Sequence, residues 1–386
     1  MSEQHAQREQ RVTSIELFFD LVFVFAFTQV TTVFSHDPTW AGIGYGLLIL
    51  ATLWWGWAAY AWLTNTLNPD AGAVWGALLV AIAAMFVAAL AVPEAFGSEG
   101  VVFGVAFLIV NVMQLTLYAL GARADRELLA AILRSAPMAL AGAALILAAG
   151  FVDTDLKPVL WLAALAIGLF GPLFSRTSGW RVEPVHFVER HGLIVIIAIG
   201  ESLVAIGIGA RGVGLGLGVI VAAVLGLLVA TAFWLAYFDF FPIRGEQLLA
   251  DRSGVERVAL ARDIFTYLHL PMVAGIVLFA FAMKPTLAHV STDLDPVPAF
   301  ALCVGPALYL SAFVAVRVRT TRTLGHGRVL AAIACALLWP VAIVVPALVA
   351  LALLTAVWVA LHAYELIWWR EARAETRAMR LPASAS

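Results

Sequence analysis

Glu16 and Asp20, in the run Glu16-Leu17-Phe18-Phe19-Asp20, stand four residues apart and so share one face of a helix. Two like charges so placed repel. Either they meet cations, with Arg11, Arg134 and Arg190 as candidates, or one acid takes up a proton or a metal cation. A third acid, Glu201, follows the charged pair Glu189-Arg190 after a run of apolar residues. At about 1.5 Å per helical residue it lies about 18 Å beyond Glu189, in the middle of a hydrocarbon core about 30 Å thick. A carboxylate at that depth costs about 2.5 to 3.5 kcal/mol on insertion scales, and such residues face a cavity, find a partner or carry protons.

Neutral and basic groups extend this set. His269 stands just before Pro271 and beyond Arg262-Asp263. Proline frees the carbonyl four residues earlier, that of Tyr267, and imidazole titrates near neutrality, so His269 is a candidate proton relay with Asp263 at its entrance. Asn111 and Gln114, three apart on one helix face, and Gln29, two turns beyond Asp20, are candidates to line a pathway without the cost of a charge. His362 and Glu365, on adjoining turns, read as an interfacial pair. His186, Glu189 and His191 spell HxxExH, but histidines five apart point away from each other on a helix, so zinc is not expected. Trp54, Trp55, Trp57, Tyr60 and Trp62 read as a lipid-interface anchor, with a cation-binding aromatic wall as the alternative. The glycines between 207 and 218 read as close packing or a bend rather than a phosphate loop. No catalytic nucleophile motif, cofactor motif or nucleic-acid signature is present, so an enzyme is not expected.

These residues need elements to hold them. A soluble chain of 386 residues would suggest two domains, but 63% hydrophobic and 12% charged content, with a mean hydropathy of +0.96, points to an all-α polytopic membrane protein. Apolar runs fall at roughly 15–35, 42–63, 72–92, 101–121, 130–151, 158–175, 189–210, 213–238, 263–283, 297–316, 328–345 and 347–368, about twelve spans. Lipid offers backbone groups no partners, so each must be helical. With the N-terminus inside, the outer loops hold three of the 23 Lys and Arg, namely Lys157, Arg211 and Lys284, which predicts both termini in the cytoplasm. Cys303 and Cys335 lie within apolar runs and read as small buried hydrophobes. Residues 1–14 are polar and no small-residue cleavage pattern follows the first span, so no removable leader is expected.

The chain also repeats. Gly42, Gly44 and Gly46 correspond to Gly214, Gly216 and Gly218, Trp62 to Trp234, Pro69 to Pro242, and Glu16 to Glu189, at a nearly constant offset. The offset then steps up, pairing Pro93 with Pro285 and Leu117-Tyr118 with Leu308-Tyr309, and again to pair Leu129–Ile132 with Leu330–Ile333. Stepwise offsets are what loop insertions into a duplicated unit produce. The expected organisation is a cytoplasmic segment 1–14, a six-helix unit 15–175, a linker 176–188, a second six-helix unit 189–368 and a cytoplasmic tail 369–386. Six is even, so the copies should be parallel. The insertion at 244–261 reads as a short surface helix.

Arg11–Thr31 (RVTSIELFFDLVFVFAFTQVT), Glu189–Val204 and the later Leu260-Ala-Arg262-Asp263 with Tyr267-Leu-His269-Leu-Pro271-Met-Val-Ala-Gly275 resemble the bacterial low temperature requirement protein A family, over nearly the whole chain. The resemblance implies a multi-pass protein of the bacterial inner membrane, and it supplies no established substrate. A weaker resemblance links Glu16–Asp20 to the Phe-Ser-Asp signature of potassium and proton channels built from six-span repeats. Here Phe19 replaces the serine, and Leu193 stands opposite Asp20 in the second unit. The reading is a proton-coupled transporter of an ion or small polar solute, with Glu201 as carrier and Asp20, His269 and Asp263 leading to it. The alternatives are a cation or proton channel and a noncatalytic scaffold or lipid-binding stress protein. The expected partners are the bilayer, protons and a small cation or solute, with oligomerisation left open.

Overall fold

The computed structural model describes residues 12–67, 72–174, 178–211 and 213–368. Arg11, Pro69, most of the 1–14 segment and the tail after 368 lie outside the described residues. The order is α1 (Ser14–His36), α2 (Trp40–Thr64), α3 (Gly72–Ala91), α4 (Gly100–Gly121), α5 (Arg126–Gly150), α6 (Leu156–Phe174), α7 (Pro184–Gly209), α8 (Leu217–Phe238), α9 (Phe241–Ala250), α10 (Gly254–Ala261), a π-helical turn (Arg262–Tyr267), α11 (His269–Ala288), α12 (Pro296–Thr321), α13 (His326–Leu337), α14 (Trp339–Ala342) and α15 (Ala347–Trp368). Among the described residues there is no strand, and 11 helices are long and apolar enough to cross a membrane.

Helix starts follow local chemistry. Thr13-x-x-Glu16 is a capping signature: the Glu16 carboxylate reaches back to accept the Thr13 backbone N–H at 2.9 Å. The Thr39 hydroxyl accepts the Gly42 N–H at 3.2 Å at the head of α2, and Asp125 accepts the Leu128 N–H at 3.2 Å at the head of α5. The expected span at 328–345 is instead broken into α13 and α14. Pro340 lacks the N–H that would continue the ladder, and Pro346 stops the next turn. The broken stretch, His326–Ala342, is about 26 Å long, shorter than a hydrocarbon core. The insertion at 244–261 forms two short helices, α9 and α10, rather than one.

Packing divides the chain into two units, residues 1–197 with 248–270 and residues 198–247 with 271–386. In the first, α1 packs on α2 and α3, α3 on α4, α4 on α5 and α5 on α6. A Cβ at Gly150 would lie 2.6 Å from the Gly100 carbonyl carbon, so α4 and α5 meet backbone to backbone. α1 buries its carboxylates and exposes Phe18 (50%) and Leu21 (59%), the inverted polarity of a helix that faces lipid. In the second unit α8 packs on α15, and α13 on α12 and α15. A Cβ at Gly275 would lie 2.4 Å from Gly305 O, which fixes the α11–α12 approach. Its core is aromatic: Phe233 lies 4.8 Å from Tyr309 and 5.0 Å from Trp358, ring centre to ring centre.

Candidate functional site

The first unit buries a network of four ionisable side chains: Glu16 and Asp20 on α1, and His186 and Arg190 on α7. Each pair is four apart, so each helix aims both its members at the other. Arg190 Nη2 lies 3.0 Å from Asp20 Oδ1, and Arg190 Nε lies 3.9 Å from Glu16 Oε1. His186 Nε2 lies 3.0 Å from Glu16 Oε1, but its hydrogen bond is to Glu16 Oε2, at 3.3 Å. Trp57 of α2 donates its indole N–H to Asp20 Oδ1 at 2.8 Å. Glu16 Oε2 receives both the N–H and the hydroxyl of Thr13, each at 2.9 Å.

Asn65, just past α2, sets the polarity of this network. Its Oδ1 accepts the Glu183 backbone N–H at 2.7 Å, so the amide nitrogen must be the atom 3.1 Å from His186 Nδ1. An amide nitrogen only donates, so Nδ1 accepts and Nε2 carries the proton toward Glu16. The ring is therefore the neutral tautomer. Two carboxylates then face one guanidinium, and the network is one positive charge short. Its unsatisfied atoms lie around that deficit: Glu16 Oε1 and Asp20 Oδ2 lack a donor, and Arg190 Nε and Nη1 lack an acceptor within hydrogen-bonding geometry. A void of about 10 Å³ between Glu16, Arg190, Phe19 and Tyr60 matches a single water molecule. One proton or one small monovalent cation completes the balance.

Beside this network lies a histidine pair. His191 donates Nδ1–H to Phe187 O at 2.8 Å, and His269 donates Nδ1–H to Ile264 O at 2.9 Å. The rings are 5.2 Å apart, and Trp57 meets His191 edge-on at 4.9 Å. The π-helical turn makes this possible. Leu268 N–H bonds to Asp263 O, five residues back, which leaves Ile264 O for the imidazole. The same turn offers Thr266 O to Trp54 Nε1 at 2.8 Å and Thr266 Oγ1 to Trp62 Nε1 at 2.9 Å. Trp54, Trp57 and Tyr60 are therefore buried structural donors and packing groups, not the lipid anchors expected of them. A π-turn placed among buried polar groups is a frequent mark of a functional site. His191 Nε2 is buried without a partner.

On the opposite face of α2 lies a cavity of about 200 Å³, walled by α2, α4, α5, α6 and the π-turn. Asn111 and Gln114 line it, as does Arg262, which pairs with Asp263 at 2.8 Å and donates to Pro172 O at 2.9 Å. The remaining candidates lie elsewhere. Glu189 is exposed and accepts the Val12 N–H, Arg134 is exposed and donates to Ser178 O, and Gln29 is half-buried. Glu201 belongs to the second unit, where it is fully buried and attracted by Lys284 of α11. Lys284, read from the sequence as a loop residue, sits within that helix. Glu365 pairs with Arg328 at 2.7 Å, and His362 Nε2 lies 3.0 Å from Ala232 O. Among the described residues no three metal-ligating side chains gather.

Sequence reasoning did not find His186, Asn65, Trp57 or Thr266 as members of a polar site. The one available signal was the His186/Arg190 spacing, which repeats that of Glu16/Asp20; Asn65 and Thr266 carry none.

The chain is 29% identical over 327 residues to an uncharacterized protein of Rhizobium meliloti (strain 1021), covering 81% of this chain and 79% of that relative. No solved structure matches it. The family described as bacterial low temperature requirement A protein (LtrA) matches residues 11–363. This multi-pass membrane protein belongs to the bacterial low temperature requirement A family.

Proposed function

We propose that the protein is a proton-coupled secondary transporter of a small solute in the bacterial inner membrane, built as two parallel repeats with both termini in the cytoplasm. The observation that carries this reading is the charge count in the first unit: two buried carboxylates, one arginine, and a histidine whose neutral tautomer Asn65 dictates. A site one positive charge short binds a proton when water supplies one. The proton adds to Asp20 Oδ2, the carboxylate oxygen without a donor. It leaves to water when Arg190 turns an unused N–H onto that oxygen, so that the O–H bond breaks, water carries the proton away and a hydrogen bond from the guanidinium takes its place. No covalent bond of the solute changes, and the protein is not an enzyme in this reading.

A matched pair of tyrosines supports the duplication. Tyr118 of α4 donates to Trp62 O of α2, and Tyr309 of α12 donates to Phe233 O of α8, each at 2.7 Å. The test is reconstitution into liposomes with an interior pH dye and an imposed pH gradient. Asp20→Asn is expected to reduce proton movement at least tenfold. Unchanged movement in that variant, or conductance at channel rates in the wild type, would reject the transporter reading.

A further inference from the structure

The cavity of about 200 Å³ is larger than the ~150 Å³ void that holds benzene, so it suits a ligand of about nine or ten non-hydrogen atoms. Its walls are mostly rings and methyl groups, including Trp55, Trp62, Trp180 and Tyr118. Of the polar side chains that break that surface, Thr52, Ser135, Thr266 and Arg262 are engaged within the protein, which leaves the amides of Asn111 and Gln114. Asn111 Nδ2 is committed to Phe107 O at 2.8 Å, and Gln114 Nε2 to Ala59 O at 3.4 Å. A backbone carbonyl can only accept, so both amide orientations are fixed and both side-chain carbonyl oxygens are left over. Asn111 is 9% exposed and Gln114 7%, and among the described residues no donor meets either oxygen. Neither oxygen is among the fully buried unpartnered atoms, so both are open to the cavity, whose contents, water or a ligand, supply the donor.

Charge points the same way. Arg262 is the charged group on the wall, and Asp263 and Pro172 O already engage three of its nitrogens. On the other face of α2, about one helix diameter away, the carboxylate network carries its uncompensated negative charge. We propose that this cavity is the solute site and that its ligand is a small apolar amine. The ammonium N–H groups bind Asn111 Oδ1 and Gln114 Oε1, and the hydrocarbon body stacks among the indoles, whose faces favour a cation. This inference rests on the transporter reading and adds a coupling rule to it. Across α2 the bound ammonium and the proton on Asp20 repel, so each lowers the other's affinity, as exchange of amine for proton requires.

The test is calorimetric titration of the purified full chain with 2-phenylethylamine and, separately, with phenylacetate, which has a similar size and the opposite charge. The amine is expected to bind at least tenfold more tightly. Asn111→Leu and Gln114→Leu, each checked for folding by thermal unfolding, should each weaken amine binding about tenfold. Asp20→Asn, which fixes the neutral network, should weaken it as well and abolish its pH dependence. Equal or tighter binding of phenylacetate would overturn the inference and make the wall an anion site at Arg262. Amine binding that both leucine variants leave unchanged would overturn it too. The wild-type comparison of the two probes stands even if a variant fails to fold. Binding is read without a gradient, so loss of proton movement with amine binding intact strikes the transporter reading alone. Absent amine binding with proton movement intact strikes this inference alone.

Discussion

Asp20 in the first unit and Glu201 in the second are both fully buried acids, yet they are held in different ways. Asp20 meets rigid donors: an indole on α2 and a guanidinium whose neighbour His186 is locked by Asn65. Glu201 meets Lys284, a long flexible chain on α11, at a place where α7 comes close enough that a Cβ on Gly209 would lie 3.0 Å from Lys284 Cα. The first arrangement stores a fixed charge deficit. The second sets a half-buried lysine near a fully buried acid. In a proton-coupled reading the first suits binding of the proton, and the second suits a step in which the helices move.

The largest expected effect separates the two by stability. Arg190→Met leaves two buried carboxylates without their cation and should cost about 3 to 5 kcal/mol, read as unfolding in detergent. Adding Asp20→Asn to that variant should recover part of the loss. Lys284 is half-buried but its acid Glu201 is fully buried, so Lys284→Met should cost more than the ~1 kcal/mol of a surface pair and less than Arg190→Met, which strands two acids. Equal losses at the two sites would remove the distinction between them.

Transport assays sharpen the same contrast. Asp20→Asn should abolish the response to a pH gradient, whereas Glu201→Gln should keep that response and slow turnover severalfold. Both are read by dye quenching in liposomes across a range of external pH. Identical defects would show that the two acids serve one step and would count against the division of labour.

How much of this could be read beforehand depends on the range of each interaction. The Glu16/Asp20 face follows from helical period, and Arg190 was one of three cations on offer; period cannot choose among partner helices. His186 lies 170 residues from Glu16 and Asn65 lies 121 from His186, so nothing local marks them as neighbours. The tryptophans of α2 look alike whether they face lipid or protein. What buries Trp54 and Trp57 is the π-turn carbonyl and the Asp20 carboxylate that take their N–H groups. The helical class was legible because lipid permits few other solutions. The break at Pro340 was hidden by the continuous hydrophobicity around it.

An acid in water supplies the control for burial. Asp125 accepts the Leu128 N–H and pairs with Arg181 at 2.6 Å, so it has the same kinds of partner as Asp20 but stands outside the spans. The Leu128 backbone N–H, and after it the Arg181 guanidinium, hold its carboxyl below the usual value of 3.8. A folded-state value below the unfolded one means that the contribution is complete above about pH 4 to 5 and is lost as the pH falls through the lowered value. Asp125→Asn should therefore flatten stability against pH only at that acid end, with a small change near neutrality, and added salt should shrink the effect because the pair is solvated. If Asp125→Asn instead destabilised the protein as much as Arg190→Met, the chemistry of the arginine–carboxylate pair, rather than its exclusion from water, would account for the behaviour of the buried network.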